Sequence, residues 1–382
     1  MAPYAMEPFK IDEEYLTQTL VNLLNIPSPS GYTDQVVHFI GEELQRLKIK
    51  FEVTRRGAIR ATLPGRQAVS GRAVAVHLDT LGAMVRDLKN NGRLAVAPVG
   101  TWSSRFAEGA RVTVFTEKGP FRGTIMPLKA SGHTFGQEVD TQPVNWDNVE
   151  VRVDYRSYKK RDLIDAGFNV GDFVAVDATP EITETGFINA RHLDDKVGVA
   201  AMMAIARHVA TNGLVLPVSC HLVFTIAEEV GFGASAVLYG DVAEMVVIDN
   251  ATVASGQNSR EFGVTICMMD GAGPFDYHLT RKLIALCREF GIEYSRDVFR
   301  QYRSDSASAI QAGNDTRTAL VGFGVDGSHG YERTHIDSIR KVAQLVGLYI
   351  QSDPTFARDK DYLSSLNGFP HQPKRDIIQI KT

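Results

Sequence analysis

Five short segments of the sequence set acids and histidines directly behind apolar runs. They are Val76-His77-Leu78-Asp79, Arg191-His192-Leu193-Asp194-Asp195-Lys196, Ile226-Ala227-Glu228-Glu229-Val230, Val247-Ile248-Asp249-Asn250 and Gly327-Ser328-His329-Gly330. Open α/β sheets gather their ligand sites just outside the carboxyl ends of strands, so segments of this kind converge there. Imidazole mixed with carboxylate is a donor set for zinc, cobalt or manganese and not for a soft metal. A single ion takes three or four such groups. Two adjacent ions that share one bridging carboxylate, with two further ligands each, take five. A pair of that kind holds a water between its ions, lowers the water's pKa towards neutrality and clamps an attacked carbonyl. The water needs a base, and Glu228, beside a ligand but directed elsewhere, is the candidate.

Each segment also has a purely structural explanation. A histidine behind a strand is commonly just hydrogen-bonded. Asp194-Asp195 reads equally well as a helix N-cap with acids at the positive end of the dipole. Glu228-Glu229 alone is a solvated pair, and Asp249-Asn250 alone is a turn. Those explanations do not account for all five occurring in order in a chain of ordinary charge.

The order and spacing of these segments resemble the tetrahedral metallo-aminopeptidases, the glutamyl and deblocking aminopeptidases among the dinuclear zinc exopeptidases. The resemblance runs from His77 to the last helix. It implies that Asp194 bridges the two ions, that Glu229 and His329 complete one site, and that His77 and Asp249 complete the other. It further implies that Asp79 fixes the His77 tautomer and that Glu228 is the general base. The cofactors so implied are two divalent metal ions per subunit, zinc first, with cobalt or manganese as alternatives. The substrate is a small peptide or peptide-like compound. The family also assembles through a β insert, from dimers up to a tetrahedral dodecamer, which makes this chain an expected homo-oligomer. His192, His335, His133 and His278 fall outside the ligand pattern and read as structural.

Two departures stand near the substrate. Thr80 follows Asp79 where the family has an acid. The family's glycine-rich stretch reads here as Arg303-Ser304-Asp305-Ser306-Ala307. Arg303 and Asp305 are therefore the candidate substrate contacts, Arg303 through a carboxylate or a polar amide oxygen. The text is similar to the branch associated with the osmoprotectant N-acetylglutaminylglutamine amide, whose cleavage is amidohydrolase chemistry. Two rivals remain. Related deacetylases and carboxypeptidase-like amidohydrolases place their second domain later in the chain. A non-catalytic scaffold on the same fold would lack a ligand or the base, and none is missing.

The elements that must position these residues are legible in outline. Amphipathic helices fit Asp12 to Leu24, Thr33 to Leu47, Phe275 to Phe290 and Ile339 to Gln351, and a small-residue helix fits Val197 to Ala210. Ala73-Val74-Ala75-Val76, His221 to Ile226 and Met245 to Ile248 read as buried strands. From about Arg86 to Glu184 short strands alternate with Gly, Pro and Asn turns and no helix is apparent, the pattern of a small barrel or sandwich. Lys159-Lys160-Arg161 reads there as a solvated loop or strand end. The expected fold is α/β, a zinc-exopeptidase-like mixed sheet flanked by helices, formed by residues 1–85 and 186–382, with an all-β, barrel-like domain inserted at 86–185.

The chain's 382 residues, 44% apolar and 23% charged with a net charge of -4, exclude a basic nucleic-acid footprint. No apolar run approaches the roughly twenty residues of a membrane span. The start of the chain lacks the pattern of a signal peptide, and the three cysteines form no metal-type pair. The expected location is the cytoplasm.

Overall fold

The computed structural model describes residues 6–373; the first five residues of the start just considered lie outside that range. Four parallel strands form the centre of a 12-stranded sheet, in the spatial order Leu216–Thr225, Gly65–His77, Val242–Val253 and Arg317–Asp326. Their interiors are apolar on both faces because helices cover the sheet, and Ala73 to Val76 are buried accordingly. Antiparallel strands close the two flanks. Phe51–Val53 and Ile59–Leu63 lie on one side, and Glu332–His335, Phe187–Ala190 and Glu181–Ile182 on the other. Val264–Asp270 branches off the last parallel strand and pairs with Tyr294–Val298.

Helix Leu193–Asn212 packs against the sheet and is overlaid by Glu13–Leu24 and Ile336–Gln351. It is buried nearly all round, which explains its Ala, Gly and Val content. Gly213, at φ 59°, ends it in the left-handed conformation. Tyr277–Glu289 is capped by the Asp276 side chain, which accepts from the Leu279 N–H at 2.8 Å.

The inserted domain is a closed barrel of six strands with its own apolar centre, including Val85, Leu94, Val112, Val114, Ile125 and Val151. On Arg111–Thr116, Val112 and Val114 point in while the alternate residues are partly exposed, the period-two signature of a strand with one wet face. The barrel's strands run from Gly82–Leu88 to Phe173–Val176. It therefore opens before residue 86, and Glu181–Ile182 already belongs to the large sheet.

Two sequence expectations need correction. Lys160–Ala166 is a helix, closed by Gly167 at φ 103°; it is only two turns long, with Leu163 and Ala166 its buried residues, too short to show a period. Asp249 lies inside Val242–Val253 and not behind it, because pairing with Arg317–Asp326 continues as far as Val253. Among the described residues no helix is long and apolar enough to cross a membrane.

Phe224 lies on a central strand and is fully buried. Phe224→Ala is expected to lower the unfolding free energy by about 3–5 kcal/mol, through lost burial and the cavity left behind. Phe232→Ala, at a 59% exposed ring, should change it by no more than about 0.5 kcal/mol. Denaturation midpoints at one fixed protein concentration make the comparison.

Candidate metal centre

The sheet register brings the first ligands together. Thr225 pairs with His77, and Val247 pairs with Ala75; continued two residues, the second register sets Asp249 beside His77. Asp194 arrives at the head of helix Leu193–Asn212, where residues 194 and 195 depart from helical backbone angles and are joined by a cis peptide bond. Glu228 and Glu229 follow strand Leu216–Thr225, and His329 follows Arg317–Asp326.

Asp194 stands between two imidazoles. Its Oδ1 lies 3.0 Å from His77 Nε2 and its Oδ2 lies 3.3 Å from His329 Nε2. Glu229 Oε2 is 3.8 Å from His329 Nε2, and Glu228 Oε2 is 3.9 Å from His77 Nε2. One ligand atom each from His77, Asp194 and Glu229 falls within 4.8 Å of the others, and so does one each from His77, Glu228 and Asp249. All the sequence-selected ligands and Glu228 thus meet at one place. Both imidazoles turn Nδ1 to a main-chain carbonyl, His77 to Asp79 at 2.9 Å and His329 to Thr101 at 2.8 Å. That leaves each Nε2 facing the acids.

The acids behind the ligands hold them by the main chain. The Asp79 carboxylate accepts from the N–H groups of Glu228 (3.1 Å) and Glu229 (3.3 Å) and from the Ser30 hydroxyl. Its nearest oxygen is 3.7 Å from His77 Nδ1. This revises the expectation for Asp79: its carbonyl orients the imidazole, and its carboxylate fixes the Glu228-Glu229 turn. Glu332, which the sequence reading did not single out, accepts from His329 N at 2.8 Å with one oxygen and from Asp194 N at 3.1 Å with the other. Its place three residues beyond His329 was the available signal. Asp195 accepts from His77 N at 3.1 Å, and a Cβ on Gly198 would sit 2.2 Å from its Oδ1. Lys196 donates to Ser28 Oγ at 2.6 Å and to the Leu78 carbonyl at 2.7 Å, and burial pulls its pKa down to about 7.

Asp305 is a second correction. Its Oδ2 accepts from Thr225 Oγ1 at 2.6 Å, and its Oδ1 accepts from Ala234 N at 2.8 Å and Ser308 Oγ at 3.1 Å. Both oxygens brace the segment after Thr225, so Asp305 has a structural task that the sequence reading did not give it, while it also borders the cleft. Arg303 is exposed and lines that cleft, which measures about 600 Å³ and is also bordered by Thr101, Glu228, Val230, Tyr302 and His329. His192 and His335 lie outside the ligand set, bonded to the carbonyls of Val176 (3.0 Å) and Thr185 (2.9 Å). His278 packs against Tyr277 and Phe356, and His133 sits in the short exposed helix Gly132–Phe135.

Burial, and then the neighbouring negative charges, push the carboxyls of Glu228, Glu229 and Asp249 well above their usual range. Burial does the same to Asp195, and it raises Glu332 to about 8, with Asp194 adding to the effect. Against the burial that would raise it, hydrogen bonds from His329 and His77 hold Asp194 down. So many buried carboxylates can all be ionised only beside compensating positive charge, which divalent cations supply in compact form. The donor set fits a pair of such ions.

A family model described as M42 glutamyl aminopeptidase matches residues 57–345. The putative aminopeptidase YhfE of Bacillus subtilis (strain 168) is 35% identical over 336 residues, covering 88% of this chain and 97% of that protein. Lysyl aminopeptidase of Pyrococcus furiosus is 25% identical over 255 residues, covering 64% and 68%. Among solved structures, the TET1 peptidase of Pyrococcus horikoshii, which can assemble into a tetrahedron or a large octahedral shell, superposes with a TM-score of 0.78 at 21% identity, covering 88% of this chain and 99% of that one.

Stripped of divalent ions by a chelator, the protein should lose stability as the pH rises. Carboxyls whose folded pKa is raised contribute stability that is complete below the unfolded value and is lost as pH climbs through the folded one. For Glu332 that window runs from 4.5 to about 8, and Glu228, Glu229, Asp249 and Asp195 act in the same direction. Denaturation midpoints between about pH 5 and 8 should fall in chelator and stay level with added zinc. A chelated midpoint that climbs across this range would contradict the charge assignment.

Proposed function

The chain belongs to the M42 glutamyl aminopeptidase family and is a metal-dependent peptide hydrolase, and on that premise we propose that it is a dinuclear aminopeptidase of short peptides. The observation that carries this reading is Asp194, which turns one oxygen to each of two imidazoles at 3.0 and 3.3 Å. In this assignment Asp194 would be shared by two divalent ions, zinc first, with cobalt or manganese as alternatives; His77 and Asp249 would help hold one, and Glu229 and His329 the other. Bound there, the ions would acidify a shared water and polarise the scissile carbonyl.

Glu228 does the proton work. Its side chain is 14% exposed and belongs to the cleft wall. Its main-chain N–H is pinned by Asp79, which leaves the carboxylate free to take the proton of the attacking water and return it to the leaving amine. Arg303, the exposed guanidinium at the cleft, binds a carboxylate or amide oxygen of the substrate. The TET1 relative forms closed shells, and we assign this chain a homo-oligomer built through its barrel. Its three cysteines are buried and unpaired, in keeping with a reducing compartment such as the cytoplasm.

Two measurements test the reading. With zinc, cobalt or manganese added, a dipeptide amide with a free amine should be cleaved. Turnover of N-acetylglutaminylglutamine amide alone would replace the aminopeptidase with an amidohydrolase for blocked compounds, and turnover of neither would point to the scaffold. Glu228→Gln should lower kcat by about 10²–10⁴-fold with metal content unchanged; substantial remaining activity would reassign the base.

A further inference from the structure

Tyr302 directly precedes the Arg303-Ser304-Asp305-Ser306-Ala307 stretch at the cleft. Its backbone is fixed, since its carbonyl accepts from Gly271 N at 2.7 Å. Its ring packs edge-on to Phe299, with centroids 5.4 Å apart and planes at 65°. The phenol therefore has a set direction, and it points inward. The hydroxyl is buried and makes no hydrogen bond among the described residues, and Tyr302 lines the cleft together with Asp249, near enough for each to influence the other's charge. Oδ1 of the Asp249 carboxylate is already engaged by Asn250 N at 2.7 Å. A buried hydroxyl left without a partner is costly, and a phenol beside a carboxylate resolves the cost by donating to it.

We infer that Tyr302 is a positioning residue for one of the two metal ions: its hydroxyl orients the Asp249 carboxylate so that the remaining lone pair faces the ion shared with His77. The inference rests on the dinuclear reading above and adds an asymmetry to it. The position formed by His77 and Asp249 has a phenol behind its carboxylate, whereas the one formed by Glu229 and His329 is held through Asp79 and Glu332, from the main chain. Removing a hydrogen bond to a ligand in this way typically weakens metal binding by about 10–100-fold.

The test is Tyr302→Phe, which keeps the ring against Phe299. Chelator-treated wild type and variant are titrated with zinc by calorimetry, and with cobalt while the visible absorption of each bound ion is followed. The expected result is two binding steps in both proteins, with one weakened about 10–100-fold in the variant and the other within about twofold. The cobalt spectrum should change for the weakened step alone. At saturating zinc the variant should regain near-normal kcat on a free-amine dipeptide amide. Equal weakening of both steps, or of neither, overturns the inference. A kcat that stays low at saturating zinc with both affinities intact also overturns it, by placing the hydroxyl on the substrate. A wild type that binds one ion overturns the dinuclear reading and this inference together, whereas two normal steps in the variant overturn this inference alone.

Discussion

Repulsion among buried carboxylates governs the centre of this protein. Asp194, Glu228, Glu229, Asp249 and Glu332 meet within a few side-chain lengths, with the imidazoles of His77 and His329 among them. Left to itself such a group would take up protons or spread apart. Protonation is indeed favoured, but the group is kept from spreading because several acids, Glu332 itself among them, fix the backbone around it. Asp79 grips the Glu228-Glu229 turn, Glu332 grips both His329 and Asp194, Asp195 grips His77, and Asp305 braces the turn beyond Thr225. Main-chain N–H groups are suited to this task, since hydrogen bonds to an ionised acceptor are stronger than neutral ones. The arrangement spends folding energy on preorganisation, and cations offset it.

The inserted barrel takes part in this geometry. The carbonyl of Thr101 receives the Nδ1 of His329, and Gly100 and Thr101 border the cleft. Two regions with separate apolar centres thus share in orienting one imidazole at the cleft. A change in how the barrel sits against the sheet would be felt first as a rotation of that imidazole.

The sequence picked out the residues that meet at the cleft because each lies at or close to an apolar run that marks a strand or a helix head. It also disclosed the barrel, because turn residues break that stretch at short intervals. What it did not disclose depends on contacts between distant residues. That Asp305 also braces Thr225 and Ala234, 80 and 71 positions away, is visible only once the chain is folded. Glu332 is marked only by its place three residues beyond His329, which by itself does not show that it reaches the Asp194 main chain as well. Asp79 was given the right neighbour, but the division of labour between its carbonyl and its carboxylate is a matter of angles that spacing does not contain. The helix at Lys160–Ala166 escaped because two turns with two buried residues leave no period to detect.

His77 and Asp194 are 117 positions apart, yet the intervening chain is tied at its neck, where Ala83 pairs with Val174. The entropy of closing so long a loop is largely absorbed inside the barrel, which can be completed from its own contiguous residues. During synthesis from the N-terminus this module can be finished while the later ligands have yet to emerge. Strand Gly65–His77, by contrast, pairs with Leu216–Thr225 and Val242–Val253, so His77 takes its place in the sheet only after the barrel's own residues and both of those strands have been made.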